Sequence, residues 1–260
     1  MSLRFEAVAK DFGAGAVIRD VAFRLETGTF GVIVGPSGCG KSTLLSLAAG
    51  LETASAGYVF ADGREVSGIS TDVAMIFQDH NLFAWANARD NVAFGLEMRG
   101  MRRGAARARA VELLEEVGLA RYADRVPAEL SGGMKQRVAL ARVLALKPRI
   151  VLLDEPFAAL DYQTRRLMQT YLRATVRRTG GTTLLVTHDL PEALTLADRL
   201  ILFSGSPGTV REVIDIAADH PRDLAHPVLA ALQRDLEAHL EAEALHGEFT
   251  AEERVRLLEE

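Results

Sequence analysis

Residues 35–43, Gly35-Pro-Ser-Gly-Cys-Gly-Lys-Ser-Thr43, fit the pattern G-x-x-x-x-G-K-[ST], with Gly35, Gly40, Lys41 and Ser42 at the fixed positions. Glycines let a backbone curl until successive N–H groups point inward, making a cradle for a polyphosphate whose wall includes Pro36, Ser37, Gly38, Cys39 and Thr43. Lys41 supplies a point charge for the outer phosphates, and the Ser42 hydroxyl is a ligand for Mg²⁺. A second stretch, Ile150-Val-Leu-Leu-Asp-Glu-Pro156, is an apolar run ending in two adjacent carboxylates. Asp154 suits a magnesium ligand, and Glu155 suits a general base that polarises water for attack on a terminal phosphate. A third, Leu130-Ser-Gly-Gly-Met-Lys-Gln-Arg137, places Ser131, Gly132, Gly133 and Met134 at the start of a helical run, where the helix dipole favours an anion. Alone, Asp-Glu would be a solvated acidic turn and Ser-Gly-Gly a helix cap. In the company of a phosphate loop they read as chemistry.

These groups need rigid carriers. Residues 30–34 are uniformly apolar and predict a buried strand running into the loop, while residues 42–49 predict a helix leaving it and aiming its N-terminus at the phosphates. Residues 3–9 and 17–25 alternate as half-exposed strands do, joined by a turn that displays Phe12. Residues 58–60 and those after the Ala61-Asp-Gly63 turn predict a hairpin. Apolar runs at 73–77, 150–153, 183–187 and 200–203 predict further strands, separated by helices and forming a mostly parallel sheet. The interval 87–142 has no strand pattern and is expected to be an inserted helical lobe. Residues 164–178 predict a helix whose Leu167, Met168, Tyr171 and Leu172 form a core-facing stripe. The expected class is α/β.

Composition limits the rest. The chain has 260 residues, 48% hydrophobic and 25% charged, which suits a folded protein. Its net charge of −5 is concentrated after residue 220, where ten Asp/Glu stand against four Arg. Neither part carries the basic field of a nucleic-acid binder, so no nucleic-acid partner is expected. Cys39 is the single cysteine and excludes an internal disulfide. It reads as a small loop residue whose backbone N–H binds, with a thiol open to modification as the alternative. The N-terminal residues lack a signal-peptide pattern, and no run approaches the ~20 apolar residues of a membrane span. Any membrane role must come through a partner.

The three motifs together, with LSGGM between the loop and the carboxylates, resemble the ATP-binding cassette (ABC) ATPases over residues 3 to about 223. The resemblance implies a phosphate-loop NTPase fold with a RecA-like core, an N-terminal antiparallel β subdomain and the helical subdomain at about 87–142, together residues 1–223. Residues 224–260 would be an acidic helical extension, with Leu224, Val228, Leu229, Leu232, Leu236 and Leu240 near helical spacing. ATP and Mg²⁺ are the implied cofactors. Phe12 matches the aromatic that stacks on adenine. Gln78 matches the glutamine that reaches Mg²⁺ and the attacking water, and His188 the switch histidine at the γ-phosphate. Asp161 matches the loop that crosses between subunits, with Ala159 standing where Ser is frequent. Each ATP would lie between the phosphate loop of one copy and Ser131, Gly132, Gly133, Met134 and Asp161 of the other, so a monomer should be inactive.

Two stretches resemble the nitrate/sulfonate/taurine importer branch: Phe77-Gln-Asp-His-Asn-Leu-Phe-Ala-Trp85 followed by Asp90-Asn-Val-Ala-Phe-Gly95, and Glu155-Pro-Phe-Ala-Ala-Leu-Asp161 through Thr164-Arg-Arg-Leu-Met-Gln169, a likeness that Ser206-Pro-Gly-Thr-Val210 and His220-Pro-Arg-Asp223 extend. Ala84 replaces the proline common there. The branch implies a membrane permease, indirectly a solute-binding protein, and a peripheral place on the cytoplasmic face of the membrane. A small organic anion such as a sulfonate is the expected solute, with a pyrimidine precursor as the alternative. Phe83 and Trp85 are expected to line or support the permease groove, the alternative being that Trp85 is buried within the lobe. Two rival classes are a soluble ABC ATPase acting on DNA or ribosomes, which calls for coiled coils or basic patches, and an inactive regulatory subunit, which calls for loss of Glu155 or His188.

Overall fold

The computed structural model describes residues 2–248, with side chains to residue 241. The chain divides into two compact units, one formed by residues up to 69 and from 184 onward, the other by residues 70–183.

The first unit opens with β1 (Leu3–Asp11) and β2 (Ala16–Leu25), an antiparallel pair in which Phe5 and Phe23 stack with centroids 4.6 Å apart. After β3 (Phe30–Val34), every residue of which is buried, comes α1 (Lys41–Ala48). Then β4 (Ala56–Ala61) and β5 (Arg64–Glu65) form the expected hairpin, giving a four-stranded sheet in the order β2-β1-β4-β5.

The second unit begins with β6 (Val73–Ile76) and continues through three helices, α2 (Ala88–Met98), α3 (Arg103–Glu116) and α4 (Gly132–Ala145). These pack on one another around Val92, Leu96, Ala110, Leu114 and Leu140, all buried. Next, β7 (Ile150–Asp154) pairs in parallel with β6, Val73 opposite Ile150. A long helix, α5 (Tyr162–Thr179), follows, and Gly180 ends it in the left-handed conformation that glycine takes without strain. Its buried face is Met168, Gln169, Leu172, Thr175 and Val176. Leu167, expected in that stripe, is 64% exposed, because it lies about 80° beyond the edge of the arc that these residues span. Tyr171 is half-buried and donates to Glu116 at 2.9 Å, and burial pushes its phenol above its ordinary range.

The chain returns to the first unit through β8 (Thr182–Thr187), then α6 (Leu190–Leu196), β9 (Arg199–Ser204) and β10 (Thr209–Asp215). The strand order there is β10-β9-β3-β8, with β9 parallel to β3 and antiparallel to β10. β10 is absent from the sequence expectations because its residues, Thr-Val-Arg-Glu-Val-Ile-Asp, are mostly exposed and only partly alternating. The final helix, α7 (Pro227–Glu248), begins at a proline, which suits the first helical position, three residues later than its apolar spacing suggested. Leu229 and Leu236 are buried, whereas Val228 is 69% exposed. The sequence expectations for residues 249–260 lie outside the described residues.

Candidate functional site

In the first unit, β3 delivers the chain to Gly35, and α1 carries it away from Gly40, whose φ of +91° only glycine adopts easily. Leu44 N donates to the Gly40 carbonyl at 3.0 Å, so the helix starts inside the loop. Lys41 is 7% exposed; its ammonium donates to the carbonyls of Gly35 at 2.8 Å and Pro36 at 2.6 Å, fixing a buried cation at the loop's mouth. Ser37, Gly38 and Ser42 are exposed, and Thr43 is half-buried. Cys39 is 1% exposed, so its thiol is not presented for modification, and the backbone reading of this residue is the one the packing favours. Burial pushes that thiol upward, and nearby Lys41, 3.8 Å from Sγ, only partly opposes the rise.

Phe12 is 55% exposed at the tip of the β1–β2 turn. Asp11 shapes that turn by accepting from the N–H groups of Gly13 (2.6 Å) and Gly15 (3.3 Å). The Lys10 ammonium lies 4.6 Å from the Phe12 ring centroid. His188 is exposed at the end of β8. Its neighbours are fixed, since Thr187 donates to buried Glu192 at 3.1 Å and Asp189 caps α6 by accepting from Glu192 N at 2.9 Å. An open cleft of about 400 Å³ is lined by His188, Asp189, Leu190 and Pro191 together with Glu237, Leu240 and Glu241 of α7. No spacing in the sequence announced that the last helix would border a cleft with His188.

In the second unit Asp154 is 7% exposed at the end of β7, and Glu155 turns the chain there with φ +46°. Such a backbone is uncommon for a residue with a side chain and is found where surrounding structure holds it. Gln78 is exposed just beyond β6. Ser131 caps α4, its hydroxyl accepting from Met134 N at 3.3 Å, and it is exposed together with Gly132. Gly133 packs closely, since a Cβ there would lie 3.1 Å from the Ala159 carbonyl oxygen and from Leu160. The glycine turn and the residues leading to Asp161 therefore adjoin. Asp161 in turn caps α5, accepting from Thr164 N at 3.0 Å, and the Thr164 N–H is the main reason its carboxyl lies below the ordinary range.

Trp85 is 83% exposed, which rules out its reading as a core residue. It leans on Phe83 (centroids 5.1 Å), which meets Phe94 edge-on at 4.8 Å. Sequence reasoning missed what holds this loop. Asn91, fully buried, accepts from Phe83 N at 2.8 Å and donates to the carbonyls of Phe83, Ala86 and Asn87. Arg142 of α4 donates to the carbonyls of Asn81 at 2.7 Å and His80 at 3.2 Å and lies 5.6 Å from the Phe83 ring. The only sequence signal was the helix-start pattern Asn87-Ala-Arg-Asp90, in which Asn87 accepts from Asp90 N at 2.8 Å.

Residues 18–158 match the ABC transporter family. The taurine import ATP-binding protein TauB of Sinorhizobium fredii is 46% identical over 88% of this chain and 84% of its own. The aliphatic sulfonates import ATP-binding protein SsuB of Albidiferax ferrireducens is 47% identical over 87% of this chain and 79% of its own. An Fe(3+) ions import ATP-binding protein of Rhizobium meliloti is 45% identical over 84% of this chain and 64% of its own. Among solved structures, a dimeric post-hydrolysis state of an ATP-binding cassette bound to ADP and Pi superposes with a TM-score of 0.76 at 31% identity, covering 84% of this chain and all of that one. The chain belongs to the ABC transporter family and has the ABC ATPase fold. It is an ATP-binding, ATP-hydrolysing protein of that family.

Proposed function

We propose that the protein is the ATPase subunit of an importer for a small organic anion of the taurine or alkanesulfonate class. The observation that carries this is the 46% identity to a taurine import ATP-binding protein over most of both chains. Residues 1–223 form the ATPase domain, with 87–142 as its helical insertion and 224–260 as an extension. The protein works as a dimer of two copies, docked peripherally on a permease at the cytoplasmic face and served by a solute-binding protein. No helix among the described residues is long and apolar enough to cross a membrane, which is compatible with attachment through a partner.

Each residue then has a task. Phe12 stacks on adenine, the backbone N–H groups of residues 37–43 and the Lys41 ammonium hold the phosphates, and the exposed Gly132 amide with Ser131 of the second copy meets the γ-phosphate. Among the described residues no cluster of three His, Cys, Asp or Glu side chains exists to cage a metal. Mg²⁺ fits nonetheless, since it binds through one or two protein oxygens plus nucleotide phosphates and waters. Ser42, Asp154 and Gln78 would supply such oxygens, and the metal bound there would neutralise charge on the phosphates. Glu155 takes the proton of the attacking water, oxygen bonds to the γ-phosphorus, and ADP leaves with its oxygen. His188 and Gln78 orient the attack, and Asp161 of the other copy completes the enclosure. Phe83 and Trp85 contact the permease.

Co-purification with a candidate permease, followed by uptake in vesicles, tests the reading. Taurine or an alkanesulfonate should stimulate ATP hydrolysis. Stimulation by ferric iron or a pyrimidine precursor instead would overturn the solute class, and stimulation by nucleic acid without permease would overturn the transport role.

A further inference from the structure

The phosphate loop rests on close backbone contacts within its own unit. At its entrance a Cβ added to Gly35 would stand 2.4 Å from the Phe203 carbonyl oxygen of β9, and at its exit one on Gly40 would meet the Ile18 side chain at 2.5 Å. The closest approach is at its middle. A Cβ on Gly208, in the β9–β10 turn, would lie 1.9 Å from the Cys39 carbonyl oxygen and 2.6 Å from the Phe203 ring. Gly208 has little room to retreat. Its N–H donates to the Val17 carbonyl at 2.8 Å and its carbonyl accepts from Arg19 N at 2.9 Å, which bridges it to Ile18 in β2. Its neighbour in the turn, Gly205, is a glycine for another reason, a φ of +74°. At Gly208 the demand comes from the proximity of Cys39.

We propose that Gly208 is a positioning residue for the nucleotide, and that the β9–β10 turn sets the direction of the loop's amides. The peptide unit is planar, so the Cys39 carbonyl and the Gly40 N–H turn together. Anything that pushes the carbonyl rotates an amide that the loop must aim at a phosphate, and a misplacement of about 1 Å is enough to cost up to ~100-fold in a positioned interaction. The proposal rests on reading residues 35–43 as the nucleotide's phosphate loop.

The test compares Gly208→Ala, Gly205→Ala and Lys41→Ala in the full chain. Its readouts are the Kd for a fluorescent ATP analogue, the KM and kcat for ATP, Tm, and the rate at which a maleimide labels Cys39. Gly208→Ala should raise Kd and KM roughly ten-fold with a smaller change in kcat, and should speed labelling of the otherwise buried thiol. Gly205→Ala should lower Tm through its strained φ while keeping Kd within about two-fold. Wild-type affinity in Gly208→Ala, or loss of affinity in both glycine variants in step with Tm, overturns the proposal. If Lys41→Ala weakens ATP while Gly208→Ala does not, positioning fails alone; if Lys41→Ala binds normally, the phosphate-loop reading fails first. Should Gly208→Ala not fold, Phe203→Leu removes ring atoms against Gly208 without overpacking. Faster labelling and weaker ATP binding are expected there too, and unchanged values overturn the proposal.

Discussion

Lys41 is a buried cation held by two carbonyls, and those hydrogen bonds offset the cost of burying its charge. Lys41→Ala should weaken ATP binding by at least ~10-fold, the worth of a charge-assisted contact, as read by nucleotide titration. Glu155→Gln should act later. It should bind ATP normally and lose about 10²- to 10⁴-fold in kcat, because amide replaces base at nearly the same shape. Wild-type hydrolysis in that variant would end the assignment of Glu155. A different kind of acid is Asp90. Burial raises its pKa, but the hydrogen bonds from Arg107, at 2.8 and 2.7 Å, together with the positive charges of Arg107 and Arg89, outweigh this and hold the carboxyl below its ordinary value. Its contribution to stability is present above the unfolded-chain pKa and is lost as pH falls through the lower folded value. Asp90→Asn should therefore lower Tm at neutral pH and converge with wild type in acid. A Tm difference that persists unchanged below both values would contradict this.

At the scale of elements, α4 and the aromatic loop are joined by Arg142, while Ser131 opens the same helix. Ser131→Ala should cost about 0.5–1 kcal/mol, the low end for a cap whose hydrogen bond is 3.3 Å long. Ser131→Asp restores a cap and places a negative charge where a phosphate is proposed to sit. Urea melts should show it recovering stability, and gel filtration should show it failing to dimerise with ATP. In the aromatic loop, Trp85→Ala should change stability by less than ~0.5 kcal/mol, since the ring is 83% exposed. Phe83→Ala should cost about 1–2 kcal/mol through its lost contacts with Phe94 and Arg142. Both should keep basal ATPase activity and lose permease association. If Trp85→Ala leaves association intact, the exposed ring has another purpose.

For the whole molecule, the decisive element is α7. It buries Leu229 and Leu236 and borders the cleft at His188. Truncation after Asp223 should cost about 3–5 kcal/mol from those two leucines alone, lowering Tm while leaving ATP binding intact. Several-fold faster hydrolysis at unchanged Tm would instead make the extension an autoinhibitory tail.

Much of the candidate nucleotide site was legible in the chain because it is local. A phosphate loop needs its glycines, lysine and hydroxyl in consecutive positions, and a strand before with a helix after is visible as periodicity. The same holds for Ser131-Gly132-Gly133 at a helix start and for Asp154-Glu155 at a strand end. Legibility stopped where a side chain's surroundings come from distant parts of the chain. Apolar spacing put Leu167 in a buried stripe, yet which face of α5 is covered depends on what packs there. Trp85 was equally apolar whether exposed or buried, and only the fold placed it at the surface. Asn91 and Arg142 grip one loop from two helices, and α7 borders one cleft with His188. Gly208 meets Cys39 because folding brings a turn late in the chain onto a loop near its start. Residue type and spacing determine which groups can bind phosphate. The aim of those groups is set by tertiary packing, since each peptide plane turns with whatever presses on its carbonyl.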